Sequence, residues 1–241
     1  MNRLLAQLGG FQAAIMSPAA GAPLPPATVT ELLAFIRGID RKIRFVELHL
    51  AVLAGVHWDR VEGIGRRVPG GAQPNHLIIP LAEASLTIEH ADAVIDHVYV
   101  SFDGLAAAVV NITDTMGRLI NLRYAVGVDP RKASLLSLKN HCSPTSPLAG
   151  VVNDARHNDW LKKVRDLRGR CQHADVEHVV VAVESSYARR GQPVIPSGYD
   201  WQTPPRALAI LDYAQAAAQA AEDTVLAVIA AVLAAPNNPL I

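Results

Sequence analysis

The chain has 241 residues and a formal net charge of zero, and only 18% of its residues are charged. A neutral chain has no global field that draws it to nucleic acid or to acidic lipid, so any such contact has to come from a local patch. Two cysteines in a chain of this length exclude a disulfide framework and favour a reduced, cytoplasmic setting. Apolar residues make up 50% of the chain and aromatic residues 5%. This composition, rich in alanine, favours packed helices over sheets.

The beginning of the chain predicts a flexible N-terminal lead-in over residues 1–27. Its second half contains the prolines Pro18, Pro23, Pro25 and Pro26, which are typical of extended backbone. The apolar residues that precede them do not form the uninterrupted core of a cleaved signal peptide, because polar residues and glycines divide them: Gln7, Gly9, Gly10 and Gln12. We therefore do not expect a signal peptide here.

A helix is predicted to begin at the capping box Thr28-Val29-Thr30-Glu31. The apolar residues that follow have gaps alternating between four and three, as on a helix face that packs against other helices: Leu32, Ile36, Ile39, Ile43, Val46, Leu50 and Leu53. A competing interpretation makes residues 43–52 a strand, because apolar residues also occupy alternate positions there. We favour the helix. Residues 59–76, rich in glycine and proline, predict a loop, and residues 77–86 predict either a strand or a helix.

The rest of the chain predicts further helices. The longest is expected from about residue 91 to residue 125, with an unbroken apolar spacing at Ile95, Val98, Phe102, Leu105, Val109, Ile112, Met116 and Leu119. Asp129-Pro130 predicts a break and then a short helix over residues 131–140. A further helix is expected from about residue 148 past residue 173, with Trp160, Val164, Leu167 and Cys171 as its buried edge, followed by a loop over residues 191–205 and a final helix over residues 206–235.

These spacings predict an all-α protein, an antiparallel helical bundle, with room for a small β-hairpin or extended excursion in the N-terminal third. Residues 91–235 would form the bundle, and residues 28–90 would be an N-terminal helical extension packed with it as one domain. The last apolar run, residues 224–235, has only about half the length that spans a bilayer. We therefore expect no membrane segment.

The stretch with the clearest chemical content reads Leu167-Arg168-Gly169-Arg170-Cys171-Gln172-His173. Arginine is permanently charged and matches phosphate oxygens, while histidine exchanges protons near neutral pH, so the two together can cleave a phosphodiester without a metal. The stretch lies in a basic run in which Arg156, Lys162, Lys163, Arg165, Arg168 and Arg170 face only Asp159 and Asp166. Such a run can hold a phosphate backbone, although it is equally typical of a solvated helix face.

Helical geometry sets a condition on this pair. Five residues on an α-helix turn through about 500°, which leaves Arg168 and His173 about 140° apart. The two can converge only if the helix ends or distorts near Gly169, or if both face a partner subunit. Without convergence, Asp166 and Arg170 would form a surface ion pair and His173 would be an ordinary helical histidine.

With these residues and this order of elements, the chain resembles the HEPN superfamily, all-α bundles whose members carry an Arg-x(4–6)-His motif on a late helix. The resemblance covers roughly residues 90–235, including the proline-rich break and the alanine-rich closing helix. The chain departs from many active members at Gly169, since they carry a polar residue directly after the arginine.

The resemblance implies a metal-independent endoribonuclease with its site at the two-fold interface of a homodimer. His173 would take the proton from an RNA 2′-hydroxyl or give one to the leaving 5′-oxygen, and Arg168 would stabilise the charge on the phosphoryl oxygens. Arg165, Arg170 and Lys163 would bind further phosphates. An antitoxin or another protein partner, and a toxin or defence role, are implied in the same way, with no cofactor and no metal.

Two alternatives remain open from the residues themselves. The chain may be read as a catalytically inactive helical module that binds RNA or protein, which the neutral net charge and Gly169 favour. His141-Cys142 and Cys171-x-His173 supply the atom types of a tetrahedral zinc site. Zinc is not expected there, because adjacent side chains do not easily point at one ion and Cys171 belongs to the predicted buried edge.

Overall fold

The computed structural model describes residues 1–17, 23–55, 61–63, 66–67, 76–80, 84–86, 91–173, 180–184, 191–195 and 208–241. The helices are α1 (Asn2–Met16), α2 (Pro26–Ala54), α3 (Ala91–Arg123), α4 (Pro147–His157), α5 (Asp159–His173) and α6 (Ile210–Ala234), with a 3-10 helix at Leu136–His141. The strands are β1 (Val61–Gly63), β2 (Arg66–Arg67), β3 (His76–Pro80), β4 (Ala84–Leu86), β5 (Val180–Glu184), β6 (Gly191–Ile195) and β7 (Leu208–Ala209).

The chain divides into two compact units. The first contains Met1–Glu47, Ala107–Arg165 and Ala217–Ile241, and the second contains Leu48–Ala106 and Asp166–Ala216. The described part of the first unit is built of helices, and the prediction of an all-α helical bundle is confirmed there. All of the strands belong to the second unit.

The core of the first unit comes from the apolar spacings. On α2 the predicted residues from Leu32 to Val46 are buried, which settles the choice between helix and strand over residues 43–52 in favour of the helix. On α3 the predicted residues of this unit, from Val109 to Leu119, are buried as well. Alanines and valines of α6 complete the core: Ala217, Ala218, Ala220, Ala221, Val225, Val228 and Val232.

The expectation of a flexible lead-in over residues 1–27 is wrong for residues 2–16, which form α1. Its apolar residues Leu4, Leu8, Phe11 and Ile15 recur at helical spacing and are buried. The adjacent Gly9 and Gly10 lie on the exposed side, where the absence of a side chain removes no core contact. The glycines therefore interrupt the apolar run in the sequence without interrupting the apolar face of the helix.

Polar contacts also fix α1 within the first unit. Glu222 of α6 is 3% exposed and accepts from the Leu4 backbone N–H, while its carboxylate lies 2.9 Å from the N-terminal ammonium of Met1. At the other end of α1, the guanidinium of Arg123 donates to the carbonyl oxygens of Ile15 and Ser17 at 2.6 and 2.7 Å. A cation at the C-terminus of a helix stabilises the carbonyls that have no partner inside the helix.

The second unit contains the sheets. β2, β3, β5, β6 and β7 form a five-stranded antiparallel sheet in that order, and β1 pairs with β4. The sheet exceeds the small N-terminal excursion that the sequence predicted, since three of its strands come from residues 180–209. The predicted loops over 59–76 and 191–205 accordingly contain strands. In the described part of the helical extension predicted over 28–90, the helix ends at Ala54 and the later described residues form strands. Short strands with so few residues give too weak an alternation to stand out from loop sequence.

The region from residue 124 to residue 158 holds two further differences. The short helix predicted over 131–140 is a 3-10 helix at Leu136–His141. The single helix expected from 148 past 173 is divided at Asn158, whose backbone is extended and whose side-chain oxygen accepts from the N–H groups of Trp160 and Leu161. An asparagine in this role begins a new helix, which is α5.

Among the described helices, one is long and apolar enough to cross a membrane by length and composition alone, at residues 211–234 of α6. The most apolar window of this helix is 61% buried inside the protein. Burial of that extent is expected of a core helix.

Candidate functional site

The predicted site residues all lie on α5, which begins at the Asn158 cap and runs without a break to His173. Gly169 is helical, and a Cβ added there would meet no atom within 4 Å. Gly169 therefore neither ends nor distorts the helix. The first of the two conditions for convergence is not met between residues 159 and 173, and Arg168 and His173 lie about 140° apart around the helix axis.

Arg168 lies on the buried side of α5. Leu161 and Val164, which define that side, are 2% and 0% exposed. Arg168 follows Leu161 by seven residues, a rotation that returns it to within about 20° of the direction of Leu161. Its side chain is half-buried, and its Nε is buried without a hydrogen-bond partner in the part of the chain that the structure describes. A buried guanidinium N–H without an acceptor is energetically unfavourable.

The buried edge predicted for this helix is confirmed at Val164 and differs at its first residue. Val164 is buried as expected, but Trp160 is only half-buried and Leu161 takes the inward position. The side chains of Leu167, Arg170, Cys171 and His173 lie outside the described residues, and their predicted contacts and roles stay predictions. The helix itself places position 173 within about 20° of Lys162, eleven residues earlier, which is exposed.

The remaining predicted phosphate contacts differ in exposure. Lys163 is exposed, and its ammonium lies 4.6 Å from the centroid of the Trp160 ring. A lysine above an indole is held by the negative face of the ring and keeps its charge at the surface. Arg165 is half-buried and Lys162 is exposed. The exposed side of α5 therefore presents Lys162 and Lys163, with Asp159 and Asp166 beside them.

The described residues contain no group of three or more His, Cys, Asp or Glu residues that could hold a metal ion. Of the residues that supply the atom types of a zinc site, His141 is exposed and Cys142 is half-buried. Burial raises the pKa of the Cys142 thiol, and a hydrogen bond with Ser146 opposes that effect. The other cysteine and histidine of the predicted set, Cys171 and His173, have side chains outside the described residues.

A cavity that the sequence did not predict lies at the 3-10 helix and α4. Its volume is about 370 Å³, and it is lined by Leu136, Ser137, Lys139, Asn140 and Arg156. Arg156 is the first residue of the basic run. Lys139 and Asn140 belong to no sequence pattern that points to a site, because they meet Arg156 only through the packing of the 3-10 helix against α4.

No protein-family model, curated protein or solved structure matches the chain. The described part of the chain is mainly helical, and α5 is a basic helix on which positions 168 and 173 lie about 140° apart around the axis.

Proposed function

We propose that this protein binds RNA through the exposed side of α5. The observation that carries the proposal is that Lys162 and Lys163 are adjacent exposed cations on an unbroken helix, on which position 173 lies within about 20° of Lys162 around the axis. Cations on one helix face neutralise successive phosphates and release the counterions bound to them, which makes binding salt-dependent. The neutral net charge of the chain means that this attraction is local, so charge substitutions on α5 test it directly.

The binding test compares Lys162→Ala and Lys163→Ala with Arg41→Ala, an exposed cation on α2. The dissociation constant for a short single-stranded RNA would be measured by fluorescence anisotropy over a range of salt concentrations. Each α5 variant should weaken binding and reduce the salt slope by about 1, whereas Arg41→Ala should leave both unchanged. Equal effects at all three positions, or no binding by the unmodified protein, would contradict the assignment of α5.

The second candidate function is cleavage of the bound RNA by Arg168 and His173, as the HEPN resemblance implies. The unpartnered Nε of Arg168 favours it, because a buried N–H donor without an acceptor would gain a hydrogen bond from a phosphoryl oxygen in a site that the partner subunit completes. The 2′-oxygen would attack phosphorus as its proton passes to His173, and the bond to the 5′-oxygen would break as that oxygen takes up a proton. The products would be a 2′,3′-cyclic phosphate and a 5′-hydroxyl, and Arg168 would stabilise the charge on the phosphorane oxygens.

Because the two side chains start about 140° apart on a continuous α5, cleavage needs the partner subunit of a homodimer to complete the site. Sedimentation at micromolar concentration tests the dimer, and incubation with RNA in the presence of a chelator tests the reaction. His173→Ala and Arg168→Ala should each abolish cleavage, while His157→Ala, an exposed histidine on α4, should not. A monomer that cleaves, or a His173→Ala protein that cleaves at the original rate, would remove this candidate and leave RNA binding alone.

A substitution at Gly169 tests for a gain of cleavage, whereas the variants above test for a loss. Among the described residues, no atom lies within 4 Å of a Cβ added at this position, so a side chain can begin there without a clash at its first carbon. Gly169→Asn restores the polar residue that follows the arginine in many HEPN nucleases and should raise the cleavage rate. If Gly169→Asn and Gly169→Ala behave alike, the polar group contributes nothing to the reaction.

A further inference from the structure

The cavity at the 3-10 helix and α4 is rich in hydrogen-bond donors. Lys139 and Arg156 bring two positive charges to it, and Asn140 adds an amide. All three side chains are exposed, and in the described part of the chain none makes a side-chain hydrogen bond or ion pair. The residues that line the cavity include no carboxylate. An anion entering it would therefore meet donors without displacing an internal partner.

The other two lining residues define the shape of the cavity and do not compete for the anion. The Ser137 hydroxyl donates to the Ser134 carbonyl at 2.8 Å and accepts from the Ser134 N–H at 2.9 Å, so its hydrogen-bonding capacity is largely used within the turn. This pair of bonds also fixes the start of the 3-10 helix, on which Lys139 and Asn140 lie. Leu136 supplies an apolar wall.

Size and chemistry together indicate the ligand. A volume of about 370 Å³ lies at the lower end of the range for small-molecule sites. It exceeds what a bare oxyanion fills and suits a phosphate with an attached organic group. Arginine binds phosphate oxygens with two parallel N–H groups, and lysine supplies a point charge from the other wall.

We propose that this cavity is a phosphate-binding site, in which Arg156 and Lys139 hold the phosphate and Asn140 donates a further hydrogen bond. The site is separate from the α5 surface and does not depend on RNA binding or cleavage there. The phosphate has two sources that share this chemistry: a small phosphate monoester, or a phosphate of an RNA chain.

Isothermal titration calorimetry with inorganic phosphate, adenosine 5′-monophosphate and adenosine tests the site. The two phosphates should bind and uncharged adenosine should not. Arg156→Ala and Lys139→Ala should each weaken binding of adenosine 5′-monophosphate at least about tenfold, the change expected when a charged contact to phosphate is lost. Arg131→Ala and Lys132→Ala are matched controls, since both are exposed cations of the same unit that do not line the cavity, and they should bind normally.

Competition separates the two sources. If an RNA without a terminal phosphate displaces adenosine 5′-monophosphate from the unmodified protein, and Arg156→Ala weakens the direct binding of that RNA, the site takes RNA phosphates. If this RNA does not compete, the site takes small monoesters. Either result supports a phosphate site. The proposal is overturned if neither phosphate probe binds at millimolar concentration, or if the cavity variants bind as the Arg131→Ala and Lys132→Ala controls do.

Discussion

Arg123 and Arg168 each have buried guanidinium atoms and differ in what those atoms contact. Arg123 of α3 is 7% exposed and donates to two carbonyl oxygens at the end of α1. Arg168 of α5 is half-buried, and its Nε has no acceptor in the described residues. Arg123 thus supplies the missing donors at the end of α1, whereas the Nε of Arg168 is a donor without an acceptor in the described residues.

The difference between a buried arginine with acceptors and one without bears on whether the residue contributes to the stability of the fold. A buried polar group that has all its partners contributes to folding, whereas one without a partner costs free energy that folding alone does not recover. Around Arg123 and Glu222 the chain holds α1 by donors and acceptors that match. Around Arg168 the buried Nε donor has no matching acceptor in the described residues. Substitutions in the two regions should therefore affect different measurements.

The largest effect on stability is expected at Gly117 of α3. A Cβ there would overlap the carbonyl carbon of Ser134 and the amide nitrogen of Leu135, and backbone atoms cannot move aside as a side chain can. Gly117→Ala should lower the free energy of unfolding by about 3 kcal/mol or more, measured by urea denaturation. Gly169→Ala on α5 is the matched control, since a Cβ there meets nothing within 4 Å. It should be neutral or stabilise by up to about 1 kcal/mol, because alanine favours a helix interior. An equal loss of unfolding free energy in Gly117→Ala and Gly169→Ala would contradict the difference in packing between the two positions.

Glu222 tests the polar contacts of α1. Burial alone raises the pKa of this carboxyl, but hydrogen bonds from the N-terminal ammonium, the Leu4 N–H and Arg3 together outweigh burial, and its pKa is lowered. Glu222→Gln removes the charge and should cost about 2–4 kcal/mol near neutral pH, since the buried ammonium of Met1 loses its partner. Asp223→Asn is the control, because Asp223 is 58% exposed. That change should cost at most about 1 kcal/mol.

The same carboxyl predicts a pH dependence. A folded-state pKa below the unfolded value means that the contribution of Glu222 is present in full above the ordinary pKa of 4.5 and is lost as the pH falls through the folded-state pKa. The stability difference between the native protein and Glu222→Gln should therefore shrink on acidification below that range. Urea denaturation of both proteins over a pH series measures it, and a difference that stays constant to the lowest pH would show that the charge is not what holds α1.

Arg123→Ala should have a smaller effect, a loss of about 2–3 kcal/mol, because two charge-assisted hydrogen bonds disappear and the carbonyls of Ile15 and Ser17 lose their donor. Arg123→Lys keeps the charge but not the two-pronged donor, so it should recover part of the loss. Arg131→Ala, an exposed cation, should stay within about 0.5 kcal/mol of the native protein. A similar loss in Arg123→Ala and Arg131→Ala would mean that the contacts to α1 contribute little.

The helices could be predicted from the sequence wherever an apolar face is long. The spacings on α2 and α3 give their bounds to within a few residues, because each long face repeats many times. The short elements could not be predicted in this way. In α1 the glycines at positions 9 and 10 interrupt the apolar residues in the sequence, so the short apolar face is hard to recognise. The strands β5 to β7 have at most five residues each, which is too few for a clear alternation.

The sequence names the residues of the candidate site, but it does not tell which side of α5 faces the core. Two apolar faces fit the sequence of α5, one beginning at Trp160 and the other at Leu161, and they differ by one residue. The Asn158 cap starts the helix, and Leu161 rather than Trp160 packs inward, which turns Arg168 towards the buried side. Spacing alone cannot choose between the two faces, because the choice depends on which side of the helix the neighbouring core contacts.

The smallest expected effect on stability, and the most informative, belongs to Arg168. Because its Nε already lacks an acceptor in the described residues, Arg168→Ala should change the free energy of unfolding by no more than about 1 kcal/mol. If Arg168 uses that donor for a phosphate, the same variant should bind RNA more weakly and reduce the salt slope by about 1. Measured side by side, Arg123→Ala should lose stability and keep the RNA affinity of its folded fraction, and Arg168→Ala should do the reverse. A large loss of stability in Arg168→Ala with unchanged RNA affinity would make Arg168 a second structural arginine and would leave the binding to Lys162 and Lys163.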